Sequence, residues 1–326
     1  MPPLFNELAT DIEGEIVADP KTLKEYSNDS SCFEIHPQVI IYPKTTRDIE
    51  KVVSFSKTYH IPIAVYGKGN GGKGGTLSSG IVLDMHRYFD KLGKLTLQDS
   101  TFTVQAGALY KDCVKRLSTW GYTLPFVDHI EDMTIGGMVA TNYKSSTALS
   151  VGGISDWVES LRIILDDGKE YLVDNNTSPY GRLLEIYGGI FSCLQEERDV
   201  IFSGHTGVIH QGMGYDIFTS HISPKMLMHF ILGSEGTLGV ITEITLRLDI
   251  EKKYSEGIAL TLSSLDELPP LIENLLHSYP TSFDGFDTRT LSLSSYATKI
   301  INERHGNDVF TLFVVYSGDQ DTVERS

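Results

Sequence analysis

Ten consecutive residues constrain this chain more than any others: Gly67-Lys68-Gly69-Asn70-Gly71-Gly72-Lys73-Gly74-Gly75-Thr76, of which six are glycine. Ordering so much glycine is entropically costly, and glycine alone lets backbone N–H groups come close to a ligand with no Cβ between. Successive N–H groups of this kind form a concave nest for anions, phosphate above all. A flexible linker is the other use of such a segment. The flanks argue for the nest: Ile61–Tyr66 enters as a short apolar strand and Gly80–Met85 leaves as another.

Two phosphate-binding patterns come near this loop. Gly67-x-Gly69-x-x-Gly72 has the dinucleotide spacing, and Gly67-x4-Gly72-Lys73 has most of a Walker A loop. Both need a helix directly after the loop, because the helix N-terminus binds the phosphate. Here Thr76-Leu77-Ser78-Ser79 runs into a strand, and Gly74 stands where Walker A needs Ser or Thr. Neither pattern applies.

Composition narrows the function classes. The 326 residues suffice for two domains. A formal charge of −16 argues against a nucleic-acid partner. No apolar run reaches the ~18 residues of a membrane span. The N-terminal residues lack the basic and apolar regions of a signal peptide. Cys32, Cys113 and Cys193 are far apart with no CxxC, so neither a zinc site nor an iron–sulfur cluster is encoded, and a cytoplasmic location is expected. The ten histidines show no ligand spacing, so no metal is expected.

Along the chain, residues 4–26 read as helical through Leu4, Leu8, Ile12, Leu23 and Tyr26. Pro37–Pro43 reads as a short buried strand closed by proline. Thr45 then caps a helix with Asp48 in its first turn and Ile49, Val52 and Val53 on one face. Phe102–Gly107 is a strand, Leu109–Trp120 a helix ended by Gly121, and Met133–Asn142 a short buried helix or turn whose paired glycines imply close backbone approach. Val158–Leu165 and Glu170–Val173 flank the hairpin signal Asp166-Asp167-Gly168-Lys169. Val240–Leu248 alternates as a closing strand. Beyond residue 250, strand 257–262, helix 265–279, extended 282–287, helix 291–304 and strand 309–316 follow.

The order of Pro43-Lys44-Thr45, the glycine loop, Thr134-Ile135-Gly136-Gly137 and Gly233-Ser234-Glu235-Gly236-Thr237-Leu238-Gly239-Val240-Ile241-Thr242-Glu243 carries a resemblance. Over roughly residues 35–250 the chain resembles the FAD-binding domain of the vanillyl-alcohol-oxidase/PCMH flavoproteins, within them the D-lactate dehydrogenase and glycolate oxidase group. The resemblance implies an α+β fold: a PCMH-type, two-subdomain FAD-binding domain over 1–250, then the start of an α/β substrate cap over 251–326. It implies non-covalent FAD, with the pyrophosphate on Lys68, Gly69, Asn70, Gly71 and Gly72, and with Gly74, Gly75 and Thr76 beneath the cofactor. Thr134, Gly136, Gly137, Thr141 and Asn142 would form another wall, and Val240 and Ile241 would offer backbone at the cofactor edge. Lys68 and Lys73 either offset diphosphate charge or are ordinary solvated lysines.

The chain departs from the pattern at Tyr66 (usually Arg), Lys73 (usually Ser), Pro125-Phe126-Val127-Asp128-His129, and Tyr143-Lys144-Ser145 (usually Ala-Gly-Gly). A long insert rich in Gly and His lies between Val173 and His229. His129 is the candidate catalytic residue, while Glu235 reads as a backbone cap. The implied activity is oxidation of a D-2-hydroxy acid, with electrons passing to an unidentified acceptor. The resemblance also implies that substrate-binding Arg and His residues lie beyond Ser326 or on a partner polypeptide completing the cap. This leaves a second reading, a flavin-binding module incomplete by itself. A third is an enolpyruvyl-sugar reductase, which shares the superfamily but not the GSEGTLG segment.

Overall fold

The computed structural model describes residues 2–126, 132–174, 176, 178–203, 215, 225–293 and 309–320. They fall into two compact units. The first takes in Met1–Trp120, His129–Tyr143 and Ile154–Leu248, the second Gly121–Asp128, Lys144–Gly153 and Asp249–Ser326.

The first unit opens with helix α1 (Phe5–Asp11), strand β1 (Glu15–Val17) and helix α2 (Pro20–Glu25). The single helix expected over 4–26 is therefore broken in two. Ile12 leaves the helix in extended conformation. Gly14 lies so close to Tyr42 that a Cβ there would come 2.5 Å from the Tyr42 carbonyl oxygen. Asp19 caps α2 by accepting from the N–H groups of Lys21 and Thr22, with Pro20 at the first helical position.

Strand β2 (Val39–Tyr42), helix α3 (Thr46–Tyr59), strand β3 (Ile63–Tyr66) and strand β4 (Ile81–Asp84) complete a sheet ordered β1-β2-β4-β3. The β2–β4 and β3–β4 pairs are parallel. All four residues of β2 and of β4 are buried, as central parallel strands require. Thr45 and Asp48 form a capping box on α3. The buried Asp48 carboxylate also accepts from the N–H groups of Glu13 and Lys44, tying the β1 approach to α3. No helix lies between β3 and β4, so the glycine loop is their direct connection.

The second sheet of this unit is antiparallel, ordered β5-β6-β10-β8-β9, from β5 (Leu92–Thr96), β6 (Thr101–Gln105), β8 (Val158–Ile164), β9 (Glu170–Asp174) and β10 (Val240–Arg247). Helix α4 (Tyr110–Ser118) buries Cys113 and Leu117, and burial pushes the Cys113 thiol up to about 12. Helix α5 (Ile135–Ala140) packs between β6 and the entry to β10. After β9 come α7 (Gly181–Glu196), α8 (Arg198–Ser203) and α9 (Lys225–Ile231). Neither β5 nor α7 was expected from the sequence.

The second unit holds strand β7 (Tyr122–Thr123) paired with β11 (Asp249–Ile250), and helix α6 (Ala148–Val151). It also holds a three-stranded antiparallel sheet, β12-β14-β13, of β12 (Tyr254–Leu262), β13 (Ser282–Asp287) and β14 (Phe310–Gly318). Helix α10 (Leu268–Leu276) lays Leu268, Leu271, Ile272 and Leu275 on Leu312, Val314 and Tyr316. Helix α11 (Thr288–Ser292) overlaps the helix expected over 291–304 only at Leu291 and Ser292, and residues 294–308 lie outside the described residues. The whole is α+β.

Candidate functional site

The glycine loop is built from below. The Tyr66 ring ends β3 and packs on Tyr26 with ring centroids 4.7 Å apart. Burial first, then the Asp84 and Asp29 charges, raise the Tyr66 phenol above its ordinary value. Tyr26 Oη donates to the buried Asp84 carboxylate at 2.5 Å, and Asp84 also accepts from the N–H groups of His86 and Arg87. Gly69, at φ +68, crosses directly over the Tyr66 hydroxyl, where a Cβ would collide. Residues 29–33 grip the loop from outside. Ser30 N–H donates to Gly69 O at 3.1 Å, Thr76 Oγ1 to Asp29 Oδ2 at 3.1 Å, and the Phe33 ring covers Gly74.

The other walls come from α5 and the turn before β10. Thr134 caps α5 by accepting from Gly137 N–H at 3.1 Å, and Gly67 lies against its hydroxyl with no room for a Cβ. Gly136 N–H donates to Ala106 O at 2.7 Å, which brings α5 onto the end of β6. The close approach implied by the paired glycines is thus protein on protein at Gly136. The C-terminal carbonyls of α5 hold the next segment: Val139 O accepts from Gly233 N–H and Ala140 O from Glu235 N–H at 2.8 Å. Glu235 then pairs with Lys73 across the site, Nζ to Oε1 at 2.7 Å. On the far side Asn70 Nδ2 donates to Asp132 O, and the Lys111 ammonium, by hydrogen bond and charge, holds the Asp132 carboxyl below its usual value.

Together these segments enclose a cavity of about 310 Å³ wholly within the first unit. Lys68, Gly69, Asn70, Gly71, Gly72, Gly75, Thr76, Thr134, Gly136, Gly137, Thr141 and Ile241 line it, all anticipated from the sequence. Gly74, Asn142 and Val240 do not line it: Gly74 faces Phe33, and Val240 is buried in the sheet. His129 lies outside the described residues. Tyr66, Lys73, Met85, Ala106, Met133, Ala140, Glu235 and Gly236 are further lining residues. Glu235 and Gly236 carried a signal, since both belong to the GSEGTLG segment. Met85 and Ala106 gave none, being ordinary apolar residues just past strand ends.

The lining suits FAD on two counts. Gly71, Gly72 and Gly236 have nothing within 4 Å where a Cβ would stand, which leaves their backbone open to a close ligand. Met85, Ala106, Met133, Ala140 and Ile241 offer an apolar surface to a flat ring. Among the described residues no helix is long and apolar enough to cross a membrane, and no His/Cys/Asp/Glu group could hold a metal.

Comparison with known proteins agrees with this geometry. Residues 37–173 match the family described as FAD binding domain. This stretch, which holds the glycine loop and α5, is similar to that FAD-binding domain, and FAD is the cofactor. It is similar to D-2-hydroxyglutarate dehydrogenase of Escherichia coli (strain K12), 25% identical over 289 residues, covering 82% of this chain and 28% of that protein. It is similar to the mitochondrial D-lactate dehydrogenase [cytochrome] of Arabidopsis thaliana, 27% identical over 257 residues, covering 77% of this chain and 38% of that one. With glycolate oxidase subunit GlcD of Bacillus subtilis (strain 168) it shares 23% identity over 307 residues, 92% of this chain and 56% of the other. The alignments thus take in 28–56% of these relatives' length. A solved alkyldihydroxyacetonephosphate synthase has the same fold, with TM-score 0.73 at 18% identity over all of this chain and 57% of that one.

Proposed function

We propose that this chain is the FAD-binding part of an oxidoreductase that oxidises a D-2-hydroxy acid. One observation carries the reading: the glycine loop, the start of α5 and the turn into β10, distant in sequence, meet around one cavity, where Gly71, Gly72 and Gly236 leave open space in place of a Cβ. The likeness to D-2-hydroxyglutarate and D-lactate dehydrogenases and to a glycolate oxidase component supports the substrate class.

When bound, FAD supplies the acceptor for the hydride leaving the substrate's α-carbon. The chain's own part is to bind and orient. The backbone of residues 68–72 would hold the diphosphate, with the Lys68 ammonium adding charge, and Thr134, Gly137 and Thr141 would hold the cofactor from the other side. Non-covalent binding is part of this reading. His129 is our candidate for the proton of the substrate hydroxyl. The electron acceptor, and a polypeptide that would complete the substrate cap, are further parts of this reading.

Purified protein should be yellow and release FAD on denaturation; a colourless protein that takes up no FAD would overturn the reading at its base. The native protein, isolated with any polypeptide that accompanies it, should be bleached anaerobically by a D-2-hydroxy acid and not by its L enantiomer. A yellow protein that D-lactate, D-2-hydroxyglutarate and glycolate all leave oxidised would remove the substrate class and leave the cofactor standing.

A further inference from the structure

The Lys73–Glu235 pair joins two walls of the cavity from positions 162 residues apart, and its two members are held very differently. Glu235 has φ +50, which a non-glycine residue keeps only where its surroundings impose it. The imposing contacts are its own N–H to Ala140 O and the turn closed by Thr237 N–H to Ser234 O at 3.0 Å. Its carboxylate is therefore carried on a fixed base at the end of α5. Lys73 rides instead on the part of the loop where Gly71 and Gly72 meet nothing within 4 Å. The loop's anchors lie on either side of it, at Gly69, Asn70 and Thr76.

We propose that Lys73 and Glu235 form a strap. The ion pair closes loop residues 70–73 against the 233–239 turn, and its opening sets the rate at which FAD enters and leaves. This rests on FAD as the occupant of the cavity. The Lys73 side chain is 71% exposed, and exposed pairs of this kind are weak and screened by salt. Such a pair contributes little to folding yet breaks readily, as a strap on an exchange path must. Glu235, read from the sequence as a backbone cap, thereby becomes a positioning residue for the loop.

The test is stopped-flow flavin fluorescence on the full chain, measuring FAD association and dissociation at low and high salt. In the unmodified protein, salt should speed dissociation. E235Q and K73S should each release FAD about two- to fivefold faster at low salt and lose that salt response. Equilibrium affinity should move less, because association quickens too. The exchanged pair K73E/E235K should return towards the slow, salt-sensitive release. E235Q releasing FAD at the unmodified rate overturns the strap. So does a K73S that weakens equilibrium binding while E235Q changes nothing, since Lys73 would then serve the diphosphate directly. If no form, the unmodified one included, binds FAD, the cofactor reading falls first and the strap with it.

Discussion

Gly71 and Gly72 line the same cavity as Gly136 and Gly137. A Cβ built on either of the first two meets nothing within 4 Å, whereas one on Gly136 would stand 2.7 Å from the Ala106 carbonyl oxygen. In the loop, glycine leaves space for something that is not protein. In α5, it lets a helix lie on the end of a strand, with Gly136 N–H bonded to the same carbonyl. On the proposed reading, two runs that look alike in the sequence serve ligand binding and folding respectively, and mutation should separate them.

The largest effect is expected at Gly136→Val. The obstruction is backbone, which cannot swing aside as the tip of a side chain can, so α5 must lift from β6 or the helix must distort. Overpacking of this kind costs about 3 kcal/mol. Denaturant unfolding of the FAD-free protein should show the loss. A Gly136→Val protein of unmodified stability that fails only in FAD binding would erase the distinction between the two runs.

Gly71→Asp should behave in the opposite way. Its carboxylate enters open space facing the expected diphosphate, so FAD affinity should fall at least tenfold, about 1.4 kcal/mol. Stability without FAD should stay within about 0.5 kcal/mol of the unmodified protein. Fluorescence titration and unfolding of the same sample measure both quantities, and unchanged affinity would mean that the ligand does not approach the loop there. Thr134→Ala comes next. Losing an N-cap costs about 1 kcal/mol, and because Thr134 also backs Gly67, both stability and affinity should drop.

Much of this site was legible in the sequence because its signals are local. Six glycines in ten residues, a Thr-capped TIGG and a capped helix at Thr45 each act over a few positions. What escaped depends on contacts between distant segments. Lys73 and Glu235 find each other only once the two sheets are formed, so Lys73 read as a diphosphate partner or solvated lysine and Glu235 as a backbone cap. Gly74 belongs to the glycine run yet faces Phe33 because residues 29–33 fold back beneath the loop. The helix expected over 4–26 failed for a similar reason. Leu4, Leu8 and Ile12 have helical spacing, but pairing of β1 with β2 outweighs it beyond Ile12. Asp19-Pro20 was a local signal for a new helix start and stood in plain view. Strand β5 is five residues with two of them exposed, too short and too wet to show a period.

The smallest and cleanest test is Gly72→Ala. Gly72 does not have a left-handed backbone, and its added methyl would meet no protein atom within 4 Å. Replacing glycine at such a position reduces the freedom of the unfolded chain, which stabilises the folded one by about 0.5 kcal/mol. Gly72 lines the cavity beside Gly71, so a ligand lying on the loop backbone would have to make room for the methyl or lose its contact with that N–H. FAD affinity should therefore fall a fewfold while the unfolding midpoint of the FAD-free protein rises slightly. Opposite signs in two measurements on one variant cannot come from damage to the fold, which would lower both. If stability and affinity rise together, the loop merely benefits from being stiffer and the ligand lies elsewhere in the cavity, against α5 and Ile241. If both fall, Gly72 is packed against protein after all, and the loop is glycine-rich for the same reason as α5.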